Sequence, residues 1–239
     1  MGDAGINRGN NVGARQVIYI LGQGGHAKTI EASLVRVGHE CKQISREEEK
    51  MIAKGHSLIV GIGIGLNICV PLDRIAAFER YDREMFVNVL DETAYMQGSN
   101  WGQGVYVGAH CFIGSDAKLG DNVMVNHGSH VSHDCDIGDH TIISIGAKIC
   151  GNVTLGKACA IGAGAIIVQN VELPDETRIP AGSLVVGPGD IRKPVHMVRS
   201  NGTVTTEDGQ IVPYDGIGIG LNIETHLVDL DSLGPDTDT

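Results

Sequence analysis

The feature that most constrains this chain is an aliphatic residue at every sixth position throughout its second half. The series starts at Val107, ends at Val185 and never slips in register. A period of six matches neither the helical period nor the alternation of a simple strand, and it is typical of a parallel β-helix. The fourteen residues of the series are Val107, Ile113, Leu119, Val125, Val131, Ile137, Ile143, Ile149, Leu155, Ile161, Ile167, Leu173, Ile179 and Val185.

Three such hexapeptides predict one triangular coil of eighteen residues, with residues eighteen apart stacked about 4.8 Å from each other. A small or β-branched residue stands two positions before each aliphatic residue and fits the narrow interior. The third position after many aliphatic residues holds a residue that tolerates φ > 0, as a tight corner requires. These residues are Asp116, Asn122, Gly128, Asp134, Gly146, Asn152, Gly164, Asn170 and Gly182.

The first half of the chain predicts a different architecture. Residues 15–88 suggest strands over 16–21, 41–44 and 58–64, with helices ending near Val37 and spanning 71–81. This βαβαβ order is half of a Rossmann fold. The Gly22–Lys28 turn partly matches a dinucleotide fingerprint, but no acidic residue ends the second strand, so NAD binding is a minor alternative. A glycine-rich turn that opens a helix also suits a phosphate group.

Composition narrows the possible partners and the compartment. The net charge of −11 argues against general binding to nucleic acids or anionic membranes. No apolar run approaches the ~20 residues that span a bilayer, and residues 1–14 look like a flexible leader without a signal-peptide core. We therefore expect a cytoplasmic protein without membrane insertion. The six cysteines form no CxxC pair and are expected to be small buried residues.

Residues 191–239 predict a partly disordered C-terminal extension after a β-helix over 89–190. Within it, 196–212 suggests a hairpin that turns at Asn201-Gly202. The octapeptide GIGIGLNI occurs at 61–68 and again at 216–223, which chance or duplication could explain.

Two motifs identify a resemblance. The turn Gly22–Lys28 (GQGGHAK) follows the first strand, and the segment Val131–Gly138 (VSHDCDIG) lies in the repeat. Together with the half-Rossmann domain they resemble bacterial sugar acetyltransferases, a family of sialic acid O-acetyltransferases and N-acetyltransferases of nucleotide-linked 4-amino sugars. The resemblance covers about residues 16–188. It implies a left-handed β-helix, a homotrimer with active sites between subunits, and acetyl-CoA as co-substrate.

The resemblance also implies roles for particular residues. His133 would be the general base, and Asp134 would raise its basicity. Gly151, eighteen residues after His133, would hold the thioester end of acetyl-CoA, and Ala163 is assigned to the same cofactor. The turn Gly24-Gly25-His26 would contact the acceptor sugar. No metal is expected.

The sequence leaves several alternatives open. Gln43 stands where relatives acting on UDP-linked sugars can carry acidic residues, and Ile142 replaces a CoA-contacting histidine of some members. We predict transfer to the amine of a nucleotide-linked 4-amino-6-deoxy sugar in glycan biosynthesis. Sialic acid or other sugar O-acetylation and a non-catalytic trimeric scaffold are the alternatives. His127, His130 and His140 also raise the possibility of a zinc site of the γ-carbonic anhydrase kind, although their spacing does not fit it.

Overall fold

The computed structural model describes residues 17–63, 71–187, 190–192, 203–205 and 211–213. Its first part is a three-stranded parallel sheet in the order β2-β1-β3 with two helices. The elements are β1 (Ile18–Leu21), α1 (Gly25–Arg36), β2 (Cys41–Ile44), a 3₁₀ turn (Glu48–Met51), β3 (Ser57–Val60), α2 (Leu72–Glu79) and a second 3₁₀ turn (Arg83–Met85). The predicted βαβαβ half-Rossmann order is confirmed.

Local sequence explains two features of this small domain, the cap of its first 3₁₀ turn and the close packing of α1 on the sheet. Ser45 and Glu48 cap the first 3₁₀ turn reciprocally, because each donates a backbone N–H to the other's side-chain oxygen at 3.3 Å or less. Gly61 follows β3 where α1 crosses it. A Cβ at this position would lie 2.5 Å from Ile20 Cγ2 and 2.8 Å from Ala27 Cβ, so α1 can pack here only against a glycine.

The second part is a parallel β-helix of short strands. Its strands are β4 (Val89–Leu90), β5 (Tyr95–Met96), β6 (Asn100–Trp101), β7 (Tyr106–Val107), β8 (Phe112–Ile113), β9 (Lys118–Leu119), β10 (Met124–Val125), β11 (His130–Val131), β12 (Asp136–Ile137), β13 (Ile142–Ile143), β14 (Lys148–Ile149), β15 (Thr154–Leu155), β16 (Ala160–Ile161), β17 (Ile166–Ile167), β18 (Glu172–Leu173), β19 (Arg178–Ile179) and β20 (Leu184–Gly187). Every third strand pairs in parallel. Partners are eighteen residues apart, such as Val131 with Ile149, except that those of β4 and β5 are seventeen residues apart. The predicted left-handed parallel β-helix is confirmed.

The interior of the coil is the aliphatic series of the repeat. All fourteen residues are buried, and the small residues that precede them fill the space between. The predicted cysteines Cys111, Cys135 and Cys159 are buried and free. The nine corner residues expected to have φ > 0 all have it. Six further residues take this conformation at equivalent corners, namely Gly98, Gly104, His110, His140, Ala158 and Glu176.

The three sheets of the coil have different surroundings. We call them the first face (β4, β7, β10, β13, β16, β19), the second face (β5, β8, β11, β14, β17, β20) and the third face (β6, β9, β12, β15, β18). Outward side chains of the first face, including Tyr106, Met124 and Ile142, pack against Ile18 and Ile20 of the α/β domain. Outward residues of the third face are exposed and polar, namely Asn100, Lys118, Asp136, Thr154 and Glu172.

A buried arginine joins the α/β domain to the coil. Arg74 of α2 donates to the carbonyl oxygens of Val60 at 2.7 Å, Ile62 at 3.2 Å and Asn122 at 3.3 Å. Burial lowers the pKa of its guanidinium to about 9. No carboxylate pairs with Arg74 in the described parts of the chain, so its charge is balanced by carbonyl dipoles alone.

The C-terminal part forms strands that the structure describes only in short pieces. β21 (Asp190–Arg192) pairs antiparallel with β20. In a separate unit, β22 (Thr203–Thr205) pairs antiparallel with β23 (Ile211–Pro213). The predicted turn at Asn201-Gly202 is wrong, because Thr203 already pairs with Pro213 and Thr205 with Ile211, so this hairpin begins after Gly202. The leader 1–14 and the second GIGIGLNI copy lie outside the described residues.

Candidate active site

His133 lies at a coil corner between the second and third faces. The turn 132–135, here called the His133 corner, connects β11 to β12 and leaves the imidazole exposed. The backbone is held from both neighbouring coils, since Asn152 N–H donates to His133 O at 2.9 Å and Asp134 N–H donates to Ser115 O at 3.0 Å. The repeat therefore fixes the position of this side chain through its backbone.

The adjacent carboxylate orients the imidazole. Asp134 Oδ2 lies 2.7 Å from His133 Nδ1. An ionised carboxylate can only accept a hydrogen bond, so this contact places the proton on Nδ1 and leaves the lone pair on Nε2. Asp134 can reach back because its backbone has φ 57°, which turns the chain sharply at this residue. The pair presents an imidazole in the tautomer that a general base needs.

Gly151 lies in the coil above, against the free nitrogen. A Cβ at this position would stand 2.5 Å from His133 Nε2 and 2.6 Å from Cε1, so any other residue would collide with the ring. The N–H of Gly151 donates to no acceptor within the described ranges. The structure thus brings together three predicted residues, His133, Asp134 and Gly151, and the Gly151 N–H has no acceptor among the described residues.

Ala163 lies on a different corner from Gly151. It belongs to the corner series between the first and second faces, two coils above His127, and it is exposed. Its carbonyl accepts from Gly182 N–H at 2.8 Å. Within one chain, the whole width of the second face separates Ala163 from Gly151.

The Gly24-Gly25-His26 turn is also separate from His133. Gly24 caps α1, whose first turn has no side-chain cap and no acidic residue. The His26 ring packs edge-on against Tyr106 of the first face, with centroids 5.0 Å apart. The second face of the coil therefore lies between this turn and the His133 corner in the same chain.

His26 is held in the neutral state. Its Nε2 is buried without a hydrogen-bond partner among the described residues, although the residue as a whole keeps some exposure. Desolvation, with smaller contributions from Arg74 and His127, lowers the pKa of His26 to about 3. An unpaired polar nitrogen beside an uncapped helix start is a site where a ligand atom would be stabilised.

The sequence analysis did not identify one carboxylate that lies beside the end of β2. Gln43 Nε2 donates to Glu31 Oε2 at 2.6 Å, so α1 supplies an acidic group next to the end of β2, where the sequence has none. The position of Glu31 on the predicted helix could have indicated this carboxylate, but its contact with Gln43 depends on how α1 packs over the sheet.

The three histidines considered for zinc lie apart. His127 occupies the turn 126–129, here called the His127 corner. His130 stacks on Phe112 of the second face, with ring centroids 4.5 Å apart. His140 lies at the third corner, which joins the third face to the first, and Asn122 Nδ2 is 3.0 Å from its Nδ1. Among the described residues, no group of three His, Cys, Asp or Glu side chains could hold a metal ion.

A cleft of about 710 Å³ lies away from all these residues. It is lined by Lys54, Ser57, Asp82 and Trp101 among others, at the end of the sheet where β3 begins. The Gly24 turn follows the opposite end of the sheet, so we do not assign this cleft to the active site. None of the described helices is long and apolar enough to cross a membrane.

Comparison with known proteins shows structural relatives only. No family model matches the sequence, and the search of curated proteins finds no match. The acetyltransferase domain of PglB from Neisseria gonorrhoeae superimposes with a TM-score of 0.65 at 21% identity, covering 73% of this chain and 93% of that chain. Its complex with acetyl coenzyme A gives a TM-score of 0.59 at 22% identity, covering 75% and 98%.

A third structure is a mutant of GDP-perosamine N-acetyl transferase from Caulobacter crescentus, in complex with CoA and GDP-perosamine. It has a TM-score of 0.52 at 21% identity and covers 74% of this chain and 90% of that chain. At these identities the likeness establishes the architecture. The chain therefore shares the fold of these acetyltransferases, an α/β domain followed by a hexapeptide-repeat β-helix.

Proposed function

We propose that this protein is an acetyl-CoA-dependent N-acetyltransferase that modifies the amine of a nucleotide-linked 4-amino-6-deoxy sugar in glycan biosynthesis. The observation that carries the proposal is the His133 corner, where Asp134 leaves Nε2 of His133 unprotonated beside the backbone of Gly151. This arrangement supplies a base and an oxyanion donor at one point, as direct acyl transfer requires.

The chemistry needs no covalent enzyme intermediate. The amine lone pair forms a C–N bond at the thioester carbonyl carbon, and the carbonyl electron pair moves to oxygen, where the Gly151 N–H stabilises it. That pair returns as the C–S bond breaks and CoA leaves as a thiolate. The proton lost by the nitrogen goes to His133 Nε2, which can pass it to the thiolate.

The start of α1 supports a diphosphate-bearing acceptor. Its first-turn N–H groups lack a side-chain cap, and no carboxylate stands in that turn. The buried charge of Arg74 and the imidazole of His127 are both close enough to His26 to depress its pKa. An anion is stabilised at such a helix end, which suits a nucleoside diphosphate.

A homotrimer is supported by the different surroundings of the three faces. The first face is covered by the α/β domain and the third face is polar, whereas the second face presents a row of mainly aromatic and apolar residues, with the exposed Lys148 between His130 and Ile166. Tyr95 on this row is 58% exposed and Ile166 is 37% exposed. Tyr95, Phe112 and His130 stack in sequence with centroids 5.5 Å and 4.5 Å apart. A second copy would remove this row from water.

Assembly would also complete the site. Within one chain the second face separates Gly24-Gly25-His26 and Ala163 from the His133 corner. Packing of second faces around a three-fold axis would bring the His133 corner of one copy toward these residues of another. Light scattering should report a trimer, and a monomer at working concentration would contradict this assembly.

The functional test is an assay of thiol release from acetyl-CoA with a panel of acceptors. We expect transfer to at least one of the UDP-, dTDP- or GDP-linked 4-amino sugars and none to free or CMP-linked sialic acid. Transfer to sialic acid alone would instead favour the O-acetyltransferase alternative. No turnover of any acceptor by a folded trimer would favour the scaffold alternative.

A further inference from the structure

His127 is a second corner histidine in the same phase of the repeat as His133. It lies six residues earlier, two positions after Val125, just as His133 lies two positions after Val131. Its corner joins the first and second faces, next to the face on which the α/β domain sits. The mechanism derived from the His133 corner does not use it.

The hydrogen bonding of His127 is the reverse of that of His133. Ala109 N–H, in the coil below, donates to His127 Nδ1 at 3.1 Å. The ring therefore lies over Gly108, where a Cβ would stand 2.9 Å from Nδ1. Because Nδ1 accepts a hydrogen bond, the proton of the neutral ring is on Nε2. His127 thus presents a donor, whereas His133 presents an acceptor.

The Nε2 donor has no hydrogen-bond acceptor among the residues described. His127 is half-buried, and no hydrogen bond of its Nε2 is found there. The Tyr106 ring contacts both imidazoles edge-on, with its centroid 6.4 Å from that of His127 and 5.0 Å from that of His26. His127 therefore lies on the side of the coil where α1 begins, close to the buried unpaired Nε2 of His26.

We propose that His127 is a specificity-determining residue that donates an Nε2–H hydrogen bond to a diphosphate oxygen of the acceptor. The inference rests on the proposed function, since it takes the α1 end of the coil as the acceptor side. The surroundings suit an anionic oxygen, because Arg74 supplies a positive charge near His26 and α1 contributes its N-terminal dipole. His127 acts on binding of the acceptor, and proton transfer belongs to His133.

The coil itself suggests a substitution that removes only this donor. At the third corner, Asp121, Asp139 and Asp175 accept from the N–H in the coil below at 2.9, 2.9 and 2.7 Å, as His127 does from Ala109. A short side chain at this position therefore keeps the backbone cap. His127→Asn should retain the cap and lose Nε2, while His127→Gln keeps an amide donor near the place of Nε2.

The test measures kinetics with the nucleotide-linked amino sugar that the wild type acetylates, and inhibition by the matching free nucleoside diphosphate. We expect His127→Asn to raise the KM for the acceptor and the inhibition constant of the diphosphate, each by about five- to tenfold, as for one lost hydrogen bond. The kcat and the KM for acetyl-CoA should stay within about twofold, since transition-state contacts are unchanged. His127→Gln should recover part of the loss.

His110→Asn is the matched control, because His110 is exposed and its φ of 57° suits Asn. It should change none of these constants. A rise in acceptor KM with an unchanged diphosphate constant would overturn the diphosphate assignment. An unchanged acceptor KM, or a fall in kcat alone, would overturn the proposal. Failure of the wild type to acetylate any amino sugar would instead refute the proposed function.

Discussion

The His127 and His133 corners have the same sequence phase but opposite chemistry. Each imidazole stands two residues after a buried valine, yet Nδ1 of His127 accepts from a backbone N–H while Nδ1 of His133 faces a carboxylate. The first ring lies over the coil below and the second stands against Gly151 in the coil above. The comparison teaches that position in the repeat determines where a corner side chain lies, while its immediate neighbours decide which ring nitrogen carries the proton.

The largest effect should follow from removing the base. His133→Ala is expected to lower kcat by about 10²–10⁴, the usual contribution of general-base catalysis, while the fold persists because the imidazole is exposed. Steady-state kinetics and thermal unfolding together check this. Near-normal kcat in the variant would mean that another group is the base. The proposed difference between the His133 and His127 corners would then be wrong.

Crowding the base should have the next largest effect. Gly151→Ala would place a Cβ 2.5 Å from His133 Nε2 and force the ring aside, and a displacement of about 1 Å can cost about a hundredfold in rate. Gly187 provides the matched control, because it lies two residues after Val185, as Gly151 does after Ile149, and a Cβ there would meet nothing within 4 Å. Equal activity of the two variants would contradict the proposed role of Gly151.

Removing the Asp134 carboxylate should leave His133 without a fixed tautomer. Asp134→Asn keeps the shape and tolerates φ > 0, but its amide can present either oxygen or NH₂ to Nδ1. We expect kcat/KM to fall by about tenfold, equivalent to about 1.4 kcal/mol. Asp116→Asn is the control, since Asp116 is exposed, has φ 59° and lies one coil below in the same series. A loss of activity as large in the control would point to a backbone effect.

The last prediction concerns stability and not activity, and it involves His26, the third imidazole near these corners. Its pKa is about 3 in the folded protein against an ordinary value of 6.5, so below pH 6.5 the unfolded chain binds a proton that the folded chain refuses. Stability from this group is complete above pH 6.5 and falls as the pH drops toward 3, by about 2 kcal/mol between pH 7 and 5. Urea unfolding of wild type and His26→Gln should show a smaller pH-dependent loss in the variant. Identical losses would contradict the burial of His26.

Much of the site was accessible to sequence reasoning because the repeat converts sequence spacing into distance. The eighteen-residue coil predicted that Gly151 lies directly above His133, and the structure brings them together. The roles of the two residues remain predictions. Sequence reasoning did not find the hydrogen bond from Ala109 N–H to His127 Nδ1 or the contact of Glu31 with Gln43. Both depend on groups whose approach no local pattern specifies, namely Ala109 N–H and a side chain of α1.

The sequence by itself determined the coil. Each hexapeptide repeats the same choice of a buried aliphatic residue, a small interior residue and a corner residue that tolerates φ > 0, and these local preferences agree at every turn. Tertiary structure alone decided which face the α/β domain covers, which face keeps exposed aromatic and aliphatic residues, and which nitrogen of each corner histidine lacks a partner among the described residues. These outcomes depend on packing and hydrogen bonding between residues far apart in the chain, where a periodic sequence offers several equivalent positions and only the assembled neighbours distinguish them.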